Sequence, residues 1–232
     1  MELARVIAKN TAPQSENRMH DDRIAAQYGF QGGLVPGVTV YGYMAAPLGM
    51  PFLKCGGISL RLARPFYEGD EVVIDQIDSV TITANDKAGE IYATGVLRET
   101  PAPSLLAFPE GGLPAARPDA TPESLAVGKV LGTIHRSIAS VEAGLLLELS
   151  NRLLMENVRL GPWIHAASEL QHFGLPREAE GLSVRGRVVE LFEKAGHRFV
   201  VYETVVLGDD LRLIQHVRHT AIYEPRKPSP KE

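Results

Sequence analysis

Two stretches of the chain alternate apolar and polar residues with a period of two. In the first, Glu68-Gly69 opens a run carrying Val72, Ile74, Val80 and Ile82; a turn follows at 85–89 and a second run covers 91–97. In the second, Glu180-Gly181 opens a run over 184–191. A turn at 193–196, a run over 199–207, a turn at 208–210 and a last run over 213–223 complete it. Successive side chains of a strand point to opposite faces, so this alternation, punctuated by Gly and Asp, predicts two antiparallel meanders. The tripeptide Lys-Ala-Gly, at 87–89 and at 194–196, falls at what the pattern gives as the first turn of each meander, which points to an internal duplication.

Ahead of each meander the period changes. Residues 21–28 predict a short helix capped by Asp21 or Asp22, because an Asp oxygen accepts from a free amide of the first turn. A second helix is predicted from about 37 to 47. Its Val38, Val40, Tyr41, Met44 and Ala45 leave it without a polar face, so it should be buried and wrapped by a sheet. In the second half, 141–155 predicts a helix with Val141, Leu145, Leu149 and Leu153 on one face, and Pro162 opens a further helix to about 173. Residues 1–9 alternate and read as a strand already in the fold rather than a signal peptide. Each half is thus a strand, helices and a long meander. The fold class is α+β, a sheet curled around a buried helix and made twice. Edge-to-edge pairing of the two sheets would remove an exposed edge from each.

Composition sets boundaries and exclusions. Six of the 16 prolines lie between 101 and 122, beside Gly111 and Gly112, which marks 99–127 as a linker between 1–98 and 128–225. The segment 226–232, rich in proline and basic residues, reads as a disordered tail. The net charge of -4 lacks the basic field that nucleic acid or an anionic membrane surface requires. No apolar run is long enough to span a bilayer. The single Cys55 excludes a disulfide framework and makes a reducing, cytoplasmic location the expectation.

The segment Glu16-Asn17-Arg18-Met19-His20-Asp21-Asp22, followed by Ala25-Ala26 and by Gly29-Phe30-Gln31-Gly32-Gly33-Leu34-Val35-Pro36-Gly37, is similar to the hydratase motif of the MaoC-like dehydratases. These are the (R)-specific enoyl-thioester hydratases of the hotdog fold. Arg64-Pro65-Phe66-Tyr67-Glu68-Gly69-Asp70 resembles the family's sheet-entry segment, and the match covers about residues 13 to 97. The second half resembles a hotdog through its element order, so the whole chain looks like a double hotdog.

The resemblance implies reversible addition of water to an enoyl thioester, with coenzyme A as part of the substrate and no separate cofactor. His20 matches the catalytic histidine and Asn17 the asparagine three residues before it. Gly37 matches the glycine that opens the central helix and whose N–H polarises the thioester carbonyl. Independent physics supports that last role, since a helix N-terminus presents free amides and a positive dipole to an oxyanion. A glycine there would let the substrate approach the backbone. Gly33, Val35 and Tyr41 are expected to bind the same substrate, with Tyr41 and Tyr43 as candidates for lining an acyl tunnel. The family's aspartate, five residues before the histidine, is replaced by Ser15, leaving Glu16 or Asp21 to supply a carboxylate. A non-catalytic acyl-CoA binding protein is therefore an alternative.

A third reading rests on the second half. His165, Glu169 and His172 share one face of the helix predicted there. His165 and His172 would lie about 10 Å apart along its axis, too far for one metal ion, so no metal site is expected. Hotdog thioesterases carry a water-activating carboxylate on the central helix, which makes Glu169, with His165, the candidate for an acyl-CoA thioesterase. His216 and His219 read as edge or surface residues of a strand. Whether two chains associate as a homodimer is left open.

Overall fold

The computed structural model describes residues 1–137 and 140–228. The elements run β1 (Glu2–Ile7), a helical turn (Arg18–His20), α1 (Asp22–Ala26), α2 (Gly37–Ala45), α3 (Gly49–Cys55) and β2 (Gly57–Leu62). The first meander follows as β3 (Glu71–Gln76), β4 (Thr81–Asn85) and β5 (Ile91–Leu97). The second half is β6 (Val130–Arg136), α4 (Ala143–Asn157), β7 (Ile164–His172), β8 (Leu182–Lys194), β9 (His197–Leu207) and β10 (Leu213–Glu224). Among the described residues these strands form one ten-stranded sheet in the order β1-β3-β4-β5-β2-β7-β10-β9-β8-β6. Read inward from either edge, the order is the same: opening strand, meander, then the strand that follows the helices. β2 and β7 pair antiparallel at the centre, from Gly57 opposite Gln171 to Arg61 opposite Ala167, and join the halves.

The duplication is therefore present in the topology, but the tripeptide does not mark it. Residues 78–80 bulge out between β3 and β4, so Lys87-Ala88-Gly89 sits at the second turn of the first meander, while Lys194-Ala195-Gly196 sits at the first turn of its counterpart. The repeat falls at non-equivalent places.

Each half wraps its sheet around one helix. Val38, Val40, Tyr41, Met44 and Ala45 of α2 pack on Ile58, Leu60, Val72, Ile74 and Ile82. In the second core, Leu146, Leu149, Leu153 and Leu154 of α4 pack on Val184, Val188, Val200 and Val206. Each such side chain contributes about 1.5–3 kcal/mol on full burial. The helices touch at glycine, since a Cβ on Gly144 would stand 2.8 Å from the Val38 carbonyl oxygen. That close approach brings the two cores together and sets α4 against the loops before α2.

The largest departure from expectation is 162–173, a strand rather than a helix. Ala, Glu, Leu and Gln give Ile164–His172 a helical propensity, but its two edges are taken by β2 and β10, and pairing on both sides overrides propensity. A bulge sets Ala166 between the pairs Thr220–Ala167 and Ala221–His165. The same topology puts β10 inside the sheet. His219 is fully buried and His216 partly so, contrary to their reading as edge or surface residues.

The proline-rich segment lies along the second half, where Phe108 packs on Val205 and Leu207 and Leu125 enters the second core. At the C-terminal end, the Arg226 N–H donates to His197 Nδ1 at 3.0 Å and the Lys227 ammonium stands 5.7 Å from the Tyr28 ring centre. The rest of the expected disordered tail, 229–232, lies outside the described residues. Among the described residues no helix is long and apolar enough to cross a membrane.

Candidate active site where two cavities meet

The chain from 9 to 20 faces α2 and α4 across an open space and is held at several points. Asn10 Nδ2 donates to the His20 carbonyl oxygen at 2.8 Å, and Asn10 N–H donates to Glu68 of the sheet-entry segment. The Gly-rich turn is pinned to the same segment by Val35 N–H to Phe66 O at 2.9 Å. Asp21 caps α1, accepting from the amides of Arg23 and Ile24, while Asp22 accepts from Gly33 N–H at 2.7 Å. A Cβ on Gly33 would overlap the His20 carbonyl. Gly33 thus positions the histidine, and its own N–H is given to Asp22.

Asn17 is buried and ties the two halves together. Its Oδ1 accepts from Met19 N–H and Trp163 N–H, both at 3.1 Å. Its Nδ2 donates to Trp163 O at 3.0 Å and stands 3.2 Å from His20 Nε2. His20 Nδ1 lies 2.6 Å from the Leu34 carbonyl oxygen, which has no hydrogen to give. The proton is therefore on Nδ1, and Nε2 is the lone-pair end facing the Asn17 amide. Both amide ends of Asn17 are committed by the Trp163 and Met19 backbone, so the amide cannot turn its oxygen toward the ring. Burial lowers the His20 pKa from its ordinary value, with the Leu34 carbonyl opposing in part. The imidazole is neutral at pH 7, with its Nε2 lone pair accepting from the Asn17 amide.

Two cavities flank this pair. The larger, about 1300 Å³, lies between the 9–20 chain, α2 and the start of α4, with Ser15, Thr39, Tyr43, Arg117 and Glu148 along its walls. The smaller, about 240 Å³, runs along the Gly-rich turn and the start of α2, with Val35, Gly37, Leu62, Phe66 and His165 among its walls. Five residues line both: Asn17, His20, Pro36, Asn151 and Trp163. Gly37, Val35 and His165 thus gather with His20 and Asn17. The glycine at 37 has another cause than substrate approach, because the space its Cβ would take is filled by His165 and Leu62. His165 is buried and bonds Ser168 Oγ at 2.8 Å through Nε2, and burial pushes its pKa down to about 3.

The expectations for Tyr41 and Glu169 are corrected, and Glu16 stands at the cavity with an arginine partner. Tyr41 is wholly buried, lines neither cavity, and its hydroxyl lies 3.0 Å from His172 Nε2, so it belongs to the core; Tyr43 is the tyrosine that reaches the larger cavity. Glu16 lines the larger cavity, but its oxygens accept from Arg117 Nη1 at 2.9 and 3.0 Å, and the same nitrogen donates to Met155 O. It is an ion-paired carboxylate, and Asp21 is the cap of α1, bonded to Arg18 as well. Glu169 is on a strand, half-exposed, paired with Arg98 at 2.6 Å, and lines neither cavity. Its helix face with His165 and His172 does not exist.

Two residues of the site escaped the sequence reading. Trp163 follows Gly161-Pro162 and enters β7, and Asn151 lies in the middle of α4. Both come from the second half, and only the packing of α4 on α2 and the β2–β7 pairing bring them to His20.

This fold is the double hotdog. No protein-family model matches the chain, and no curated protein matches it in sequence. Solved structures match over nearly its whole length. A protein from Chloroflexus aurantiacus J-10-fl described as a MaoC domain dehydratase has 12% identity, covers 96% of this chain and 95% of its own, and superposes with a TM-score of 0.62. A hypothetical protein of Mycobacterium tuberculosis, described as a double hotdog, has 14% identity, coverages of 95% and 94%, and a TM-score of 0.57. A protein from Lactobacillus plantarum described as an oleoyl thioesterase has 11% identity, coverages of 97% and 95%, and a TM-score of 0.56. At such identities the likeness is one of fold, and the neighbours include both dehydratases and thioesterases.

Proposed function

We propose that the protein is an enoyl-thioester hydratase, working reversibly as a 3-hydroxyacyl-thioester dehydratase, with an acyl-CoA as substrate. One observation carries this reading: a neutral histidine, its tautomer set by Leu34 and Asn17, lies where two cavities meet beside the N-terminus of α2. In hydration, His20 Nε2 exchanges the Asn17 N–H for the water: water oxygen bonds to C3 of the enoyl group while Nε2 takes one of its protons. The same nitrogen then returns the proton to C2, so water adds across the double bond and the imidazole ends as it began. The thioester carbonyl gains negative charge in between. The Gly37 amide, at the start of a nine-residue helix, is a donor for it. One imidazole serving both proton transfers suits a site whose candidate carboxylates, Glu16 and Asp21, are paired with Arg117 and Arg18.

A second reading is supported by Ser15. Its Oγ donates to Asn17 O at 3.2 Å, in the place where the family resemblance implies a carboxylate. The chain would then bind acyl thioesters without turning them over. Following enoyl absorbance and free thiol together on crotonyl-CoA separates these cases. A hydratase loses enoyl absorbance without thiol, a thioesterase releases thiol, and a binder does neither yet is stabilised against melting by the ligand.

A further inference from the structure

Two residues that line both cavities each carry a buried polar atom with no hydrogen-bond partner among the described residues: Asn151 Oδ1, an acceptor, and Trp163 Nε1, a donor. Asn151 is 9% exposed and Trp163 3%. Of the other buried atoms without partners among the described residues, His165 Nδ1 belongs to a residue of the smaller cavity alone, and those of Thr83, Gln215 and His219 belong to residues that line neither. An orphaned buried acceptor or donor is costly, and native proteins keep one where a ligand or a water completes it. Here the two are of opposite sense and belong to residues that line the same two cavities as His20. A hydroxyl group, or a water, is the small species that donates to one and accepts from the other.

Resting on the hydratase reading, we propose that Asn151 and Trp163 form a hydroxyl-binding site beside His20. It holds the 3-hydroxyl of a 3-hydroxyacyl thioester and, in the reverse direction, the water that adds to the enoyl thioester. In this arrangement the hydroxyl donates to Asn151 Oδ1 and accepts from Trp163 Nε1–H, and His20 Nε2 takes or returns the mobile proton. The site is built by the second half of the chain around a histidine of the first. An uncharged amide orients the oxygen and leaves the proton chemistry to the imidazole. Trp163 has two tasks: its backbone fixes Asn17 through N–H and C=O, and its indole reaches the reacting oxygen. Loss of the indole N–H therefore affects the hydroxyl without disturbing the Asn17 anchor.

The test compares dissociation constants for (R)-3-hydroxybutyryl-CoA and butyryl-CoA, which differ by that hydroxyl, on the full chain. Titration calorimetry is used for wild type, Trp163→Phe and Asn151→Ala. Wild type should prefer the hydroxylated ligand by about tenfold or more, a ratio of the size that two hydrogen bonds to buried groups supply. In both variants the ratio should collapse toward one. Trp163→Phe keeps the aromatic shape and the backbone anchor, so it carries the test should Asn151→Ala fail to fold. A preference retained in Trp163→Phe would overturn the hydroxyl site while leaving the acyl-thioester reading in place. Wild type that binds neither ligand would overturn the acyl-thioester reading and the hydroxyl site with it.

Discussion

Replacing Asn17 by Asp tests the electrostatics of the site without assuming any reaction. Asn17 Nδ2 lies 3.2 Å from His20 Nε2 and 3.0 Å from Trp163 O. In Asn17→Asp the Oδ1 bonds to the Met19 and Trp163 amides survive, while a carboxylate oxygen replaces the N–H group facing the ring. The neutral ring then has a lone pair pointing at a negative oxygen, and protonation of Nε2 converts repulsion into a charged hydrogen bond. At that separation, and with an effective dielectric constant of about 20, the attraction is about 5 kcal/mol, a ceiling of nearly 4 pKa units. Neighbouring carboxylates typically move a histidine by about 1–3 units. The His20 pKa, held below 6.5 by burial in the wild type, should rise above 6.5 in the variant. A nitrogen-15 NMR titration of the histidine rings reads both the pKa and the tautomer. Wild type should show Nδ1 protonated and Nε2 bare at pH 7. The new oxygen also faces the Trp163 carbonyl, which should lower stability by about 1–3 kcal/mol. An unchanged His20 titration in Asn17→Asp, or a wild-type ring protonated on Nε2, would refute the account of how the histidine is set.

Further outcomes follow from the same geometry. Gly33→Ala forces a Cβ into the His20 carbonyl and should cost about 1–3 kcal/mol in urea denaturation, with a fall in any enoyl-CoA hydration. Glu169→Gln removes an exposed ion pair; it should change stability by under about 1 kcal/mol and leave thioester chemistry untouched, contrary to what a Glu169 thioesterase requires. His165, His172 and His219 are buried and held below the ordinary histidine pKa of 6.5, the first two at about 3 and about 4. The unfolded chain therefore binds more protons than the folded one between those values and 6.5. Stability should fall as pH drops from 6.5, by up to about 1.4 kcal/mol per unit for each histidine, and melting curves between pH 7.5 and 4.5 would read it. A flat profile would mean that these rings are not neutral in the core.

Much of this fold is written in local pattern. The meander strands announce themselves by alternation, and α2 by being apolar on every side, because both signals are made by neighbours in the chain. Residues 164–172 are the counter-case. Their helical propensity is real, and what makes them a strand is contact with β2 and β10, which lie about a hundred residues before and some fifty after. The same limit applies to the site. His20, Asn17 and the Gly-rich turn stand in one short motif and are legible together. Glu16 is equally local, but its engagement by Arg117 depends on the proline-rich segment returning to the loop. Asn151 and Trp163 carry no signal at all, since an Asn within a Leu-rich helix and a Trp after a Gly-Pro turn are ordinary until two cores are set against each other. Gly37 shows a subtler failure. The expected residue lines the expected cavity, while the reason it is glycine is the close passage of His165 and Leu62.

The central claim is that neutral His20, at the junction of the two cavities, performs both proton transfers. The most direct test is the rate of crotonyl-CoA hydration against pH for wild type and His20→Ala. The account predicts a wild-type rate that falls on acidification with an apparent pKa below 6.5, as Nε2 is protonated, and a loss of about 10²–10⁴-fold in the variant. Hydration that survives in His20→Ala to within about tenfold, or a wild-type rate that rises on acidification through that range, would contradict it.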